Sequence, residues 1–105
     1  MAESKQRKAF EEFVDKVQIE FEDSLKKLYL YGSVARGEES DESDVDILAV
    51  VETKNQKRKL QDLAFETGLE YEVSFSPIVK TEEEYQKVKD TVYGREVRST
   101  GEIRV

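Results

Sequence analysis

The chain has 105 residues, enough for one small domain with a modest core. It contains no cysteine and no histidine, which excludes thiol and imidazole nucleophiles, histidine bases and the usual nitrogen–sulfur zinc sites, and leaves carboxylates, hydroxyls and the hard cations that suit them. Its net charge of −7, from 17 basic and 24 acidic residues, makes direct nucleic-acid binding unfavourable and suits a basic partner surface.

Phe10, Phe13, Val14, Val17 and Phe21 recur at helical spacing, so a first helix with one apolar stripe is predicted over about residues 3–22. Met1 to Lys8 is polar and of mixed charge, unlike a signal peptide. No apolar run reaches membrane-spanning length, so a cytoplasmic protein is expected. Lys27–Tyr31 reads as a strand buried on both faces, because apolar residues occupy both parities. It ends at Gly32, and residues 33–37 open a short helix that Gly37 stops. Residues 38–43 form a loop. Val45–Val51 is a second strand with a continuous apolar run. A helix over about Gln56–Thr67 follows, with Leu60, Leu63 and Ala64 inward and Gly68 as its stop.

A third strand is predicted from Glu70 to Val79. There Tyr71, Val73 and Phe75 alternate with Glu70, Glu72, Ser74 and Ser76, and the late Pro77 marks an edge. Thr81-Glu82-Glu83-Glu84 is a capping box for a further helix, with Tyr85, Val88 and Val92 facing inward. Beyond Gly94 the chain reads as a short helical turn up to Gly101 and an extended Glu102–Val105. Residues 1–105 thus read as one α/β (α+β) domain, a small mixed sheet of three to four strands flanked by helices.

One stretch carries chemistry. Leu30-Tyr31-Gly32-Ser33-Val34-Ala35-Arg36-Gly37 is a strand running into a Gly-Ser turn, and Ser43-Asp44-Val45-Asp46 opens the next strand. Side chains alternate along a strand, so Asp44 and Asp46 share a face with Cα atoms roughly 7 Å apart. Two carboxylates beside a turn with backbone N–H groups and a hydroxyl suit Mg²⁺ and a polyphosphate, since Mg²⁺ is usually held by one or two carboxylates plus substrate phosphates. Arg36 either touches phosphate or pairs with Glu38, Glu39 or Asp41. The run Glu38 to Asp46 holds six acids in nine residues. Glu38, Glu39, Asp41 and Glu42 read as a mobile, solvated loop.

At Gly32-Ser33-x-Ala35-Arg36-Gly37-x5-Ser43-Asp44-x-Asp46-Ile47 the sequence resembles the minimal nucleotidyltransferase domains of the DNA polymerase β-like superfamily. The resemblance runs from about Leu28 to Glu84. It implies the nucleotidyltransferase fold, Mg²⁺ on Asp44 and Asp46, and nucleotide binding at Gly32, Ser33 and Arg36. It also implies transfer of a nucleoside monophosphate, AMP from ATP or that of another nucleoside triphosphate, to a hydroxyl. The family usually has a third carboxylate on the next core strand. Here Glu72 is the expected third metal ligand and catalytic base, with Glu70 next, while Ser74 stands closer to the family's usual slot. Members of this size resemble the antitoxin halves of toxin–antitoxin pairs, whose partner is a helical HEPN-type ribonuclease, so a partner tyrosine is the implied acceptor. The alternative is a non-catalytic module of the same fold that binds nucleotide or caps a partner.

Overall fold

Ser4 starts the fold by accepting a hydrogen bond from the Arg7 amide, which caps α1 (Lys5–Phe21). The computed structural model describes residues 3–105. Met1 and Ala2, the first residues of the polar N-terminal stretch, lie outside the described residues. All five residues of the α1 stripe are buried. A 3₁₀ turn at Glu22–Ser24 leads into β1 (Leu25–Tyr31), which begins two residues earlier than the sequence predicts. Then follow α2 (Gly32–Arg36), β2 (Val45–Val51) and α3 (Lys54–Tyr71). The rest is β3 (Phe75–Thr81), α4 (Glu82–Val88), α5 (Val92–Thr100) and β4 (Glu102–Ile103).

The four strands form one mixed sheet in the order β3-β2-β1-β4, with β1 antiparallel to β2 and β4, and β2 parallel to β3. Leu28, Leu30, Val45, Ile47, Ala49 and Val51 pack one face of the sheet against α1 and α3. Tyr29, Leu48 and Val50 pack the other against Tyr85 of α4 and Val97 of α5. Burial on both faces explains the continuous apolar runs of β1 and β2. Each fully buried Leu or Ile contributes about 1.5–3 kcal/mol relative to exposure. Among the described residues no helix is long and apolar enough to cross a membrane.

The third strand departs from its predicted bounds. The helix before it runs on through Glu70 and Tyr71, and Gly68 lies inside it rather than stopping it. The chain turns at Glu72, which is left-handed (φ 56°, ψ 43°), and the Val73 amide donates to the Gly68 carbonyl. Glu70, on that helix, makes an ion pair with Lys16 of α1, 3.0 Å away. The alternation from Glu70 to Phe75 therefore spans a helix end and a turn, and the strand starts only at Phe75. Pro77 sits in the middle of β3, opposite Ile47. It is tolerated there because β3 has one free edge. Val92 is another correction: it opens α5 and is 81% exposed, while Tyr85 and Val97 fill the core there.

Candidate active site

The register of the sheet lines up Ser76 of β3, Asp46 of β2 and Tyr31 of β1 as neighbours in one row. The row lies on the face covered by α4 and α5, at the end of β2 where the acidic loop enters. Asp44 precedes β2, and its Oδ2 accepts a hydrogen bond from the Ser76 hydroxyl at 3.4 Å. The Val45 amide between the two acids donates to the Ser74 carbonyl at 2.8 Å, which fixes how the loop joins the sheet.

Gly32 is required here twice over. Its φ is +75°, and a Cβ added to it would stand 2.3 Å from Asp46 Oδ2. The Asp46 carboxylate therefore lies directly against the backbone of the Gly-Ser turn, with Ser33 next in the first turn of α2. Arg36 closes that short helix. Its Nε lies 3.3 Å from Glu38 Oε2, and its charge also reaches Asp46. Gly37 is left-handed and ends α2, the role predicted for it.

Burial raises the Asp46 carboxyl above the ordinary aspartate range, the charge of Asp44 raises it further, and Arg36 opposes both. An acid held against its own desolvation and a like charge favours a cation beside it. Asp44 and Asp46 are hard oxygen donors, and among the described residues no group of three His, Cys, Asp or Glu forms a metal cage. Such a pair fits Mg²⁺, which takes one or two carboxylates and fills its remaining positions with water and phosphate oxygens.

The structure thus brings Gly32, Ser33, Arg36, Asp44 and Asp46 to one end of the sheet. Glu72 is not among them. It sits exposed in the turn after α3, and Glu70 lies on that helix, so neither belongs to β3. The residue opposite Asp46 on β3 is Ser76, two positions past Ser74.

Three features of the site escape the sequence reading. Gln6 of α1 is 1% exposed. Its amide nitrogen donates to the carbonyls of Ser40 (2.8 Å), Asp41 (3.2 Å) and Ser43 (3.2 Å). Ser4 adds a hydrogen bond to Glu39 at 2.6 Å. The acidic loop is therefore clamped to α1 rather than free. Second, Tyr93 of α5 donates to the Tyr31 hydroxyl at 3.0 Å beside Asp46. Burial raises both phenols, and the Asp46 charge adds to it. Third, a cavity of about 150 Å³ opens between α2 and α5, reached by Gly32, Arg36, Tyr93 and Glu96. Only the apolar Val97 in the amphipathic α5 hinted in sequence that this segment packs over the site.

A family model described as a nucleotidyltransferase domain matches residues 6–98. Two relatives from Methanocaldococcus jannaschii, both provisionally named protein adenylyltransferases, are each 34% identical. One aligns over 93% of this chain and 96% of its own length, the other over 86% and 89%. Among solved structures, a toxin–antitoxin crystal structure with AMP-PNP covers 89% of this chain and 70% of its own, with a TM-score of 0.63. At 21% identity this likeness speaks for the fold. A structure from Sulfolobus solfataricus, provisionally named a nucleotidyltransferase, is 31% identical over 81% of this chain and 75% of its own, with a TM-score of 0.50.

Proposed function

The chain belongs to the nucleotidyltransferase domain family and is a nucleotidyltransferase; from that premise we propose that it moves AMP from Mg·ATP to a hydroxyl of a partner protein, a tyrosine of a helical HEPN-type toxin. The observation that carries the site is the contact of the Asp46 carboxylate with the Gly32 backbone, which sets an acid pair against a turn able to receive phosphates. The names of the M. jannaschii relatives favour a protein acceptor, and the toxin–antitoxin fold likeness favours a toxin as partner. An acidic surface suits a basic partner and the interior of the cell, where ATP is found.

In this reading Asp44 and Asp46 hold the cation. When bound, Mg²⁺ neutralises charge on the α-phosphate and the leaving pyrophosphate and lowers the pKa of the acceptor hydroxyl. The chain's own groups do the positioning. Amides of the Gly32-Ser33 turn and the Ser33 hydroxyl donate to phosphate oxygens, and the Arg36 guanidinium offsets their charge. The Ser76 hydroxyl orients Asp44. The new bond joins the acceptor oxygen to the α-phosphorus, and the bond to pyrophosphate breaks. With Ser76 opposite Asp46 and Glu72 in the turn that ends α3, outside β3, the hydroxyl proton passes to water or to a group on the partner.

The test is transfer of label from ATP to the protein encoded beside this one. Label in the α-phosphate is expected to appear on that protein and label in the γ-phosphate is not, and Asp46→Asn is expected to abolish transfer. Transfer of γ-label, or full transfer by Asp46→Asn, would overturn the reading. Mg·ATP binding without transfer to any partner would favour the capping module, for which the supporting observation is that, among the described residues, no third acid joins Asp44 and Asp46 in a metal-binding group.

A further inference from the structure

The cavity between α2 and α5 adjoins the phosphate site and shares Gly32 and Arg36 with it. Gly32 and Arg36 of α2 line it together with Tyr93, Glu96 and Thr100 of α5 and Tyr31 of β1. The Tyr31 and Tyr93 rings meet edge to face, with centroids 6.0 Å apart and planes at 83°, and their hydroxyls are hydrogen-bonded. This aromatic wall is built before any ligand arrives. Neither carboxylate of the Asp44–Asp46 pair lines the cavity, nor does Ser33. What it holds is therefore not a reacting atom but a part of the substrate tethered to the phosphates. Its volume of about 150 Å³ falls well below the ~300 Å³ at which pockets hold a whole drug-sized ligand. One planar ring system fits that description.

The polar groups at the rim choose among ring systems. The Glu96 side chain brings carboxylate oxygens, which are hydrogen-bond acceptors, to the rim. The Thr100 hydroxyl donates to the Glu96 carbonyl at 2.7 Å, so its hydrogen is already engaged. The rim therefore offers the Glu96 carboxylate as acceptor and, as donors, the Arg36 guanidinium and the Tyr31 hydroxyl, which accepts from Tyr93, and a ring that carries an amino group beside ring nitrogens satisfies both. We infer that this cavity seats the purine of the nucleoside triphosphate against Tyr31 and Tyr93, and that Glu96 reads its amino group as the residue that sets base preference. The inference rests on the nucleotide reading above and adds to it the base and the residues that recognise it.

The experiment compares ATP with purine riboside triphosphate, which lacks only the 6-amino group, in calorimetric titrations with Mg²⁺ on the full chain. Wild type is expected to bind ATP about tenfold more tightly, the loss of one charge-assisted hydrogen bond. In Glu96→Ala the ratio is expected to fall to about one. The ratio is the readout because removing a negative charge near a triphosphate alters both affinities alike. Protein–ligand NOEs in wild type are expected to link adenine protons to the Tyr93 ring, a readout that does not depend on any variant folding. Equal binding of the two nucleotides by wild type, a tenfold ratio that survives in Glu96→Ala, or adenine NOEs confined to other side chains would each overturn the inference. If wild type binds neither nucleotide, the nucleotide reading itself falls.

Discussion

Two left-handed glycines, five residues apart, separate the demands of backbone and site. Gly32 (φ +75°) has Asp46 Oδ2 where its Cβ would be, whereas Gly37 (φ +71°) has nothing within 4 Å of that point. Alanine at either position meets the left-handed cost of about 1–2 kcal/mol. Only at Gly32 must the Asp46 carboxylate also move. Gly37→Ala is therefore expected to lower the melting temperature by several degrees and to keep nucleotide affinity. Gly32→Ala is expected to lose at least as much stability and most Mg·ATP binding. Denaturation curves and calorimetry on the two variants check this, and equal nucleotide affinity in both would contradict it. The Gly32–Asp46 pairing was legible in the sequence because each residue sits at a strand boundary that composition marks. Gly-Ser ends β1, and Asp46 is an acid at the head of an apolar run. The partners supplied by α5 were not legible, because Tyr93 reaches Tyr31 across 62 residues of sequence and no local pattern encodes that approach.

Among the elements, the acidic loop shows how far composition misleads. Six acids in nine residues read as a solvated, mobile loop, yet one buried amide holds three of its carbonyls. Gln6 was invisible as a clamp because it is a polar residue on the edge of an apolar stripe. Gln6→Ala takes the side-chain donor from those part-buried carbonyls, at about 0.5–1.5 kcal/mol for each hydrogen bond lost. It is expected to speed hydrogen exchange at Ser43 and Val45 and to weaken Mg·ATP binding while the far end of the sheet stays protected. Unchanged exchange in that loop would refute the clamp.

The capping box at Thr81 was legible, and both of its hydrogen bonds form. The Thr81 amide and the Lys57 ammonium hold the Glu84 carboxyl at about 2, down from 4.5. A depressed carboxyl stabilises the fold above its unfolded pKa and loses that contribution as pH falls through the folded value. Glu84→Gln is thus expected to flatten the fall of stability between about pH 4.5 and 2. A melting-temperature profile parallel to wild type through that window would count against it. The third strand failed for a related local reason. Two-residue alternation continued across a helix end and a left-handed turn, so the local pattern did not mark the stop at Glu72, whose amide donates to the Gly68 carbonyl.

At the scale of the whole molecule, the chain's end is tied back to its start. β4 adds to β1, and Arg104 pairs in two-pronged fashion with Glu11 of α1 at 2.6 and 2.8 Å, while Arg7 reaches Glu102 at 2.8 Å. The Arg104 guanidinium holds the Glu11 carboxyl below its usual range. This closure sets α5 over the sheet, so the candidate site is walled by elements from both halves of the sequence. A ligand bound there holds the layers together and must stabilise the fold. At 100 times its dissociation constant, a ligand of the native state alone adds about 2.7 kcal/mol. For a domain of this size that is a melting shift of roughly 10 °C or more. The decisive measurement is thermal unfolding with saturating Mg·ATP in wild type and in Asp44→Asn/Asp46→Asn. A shift of that order in wild type that vanishes in the double variant is the predicted result. No shift in wild type, or the same shift in both proteins, would contradict a nucleotide site built on Asp44 and Asp46.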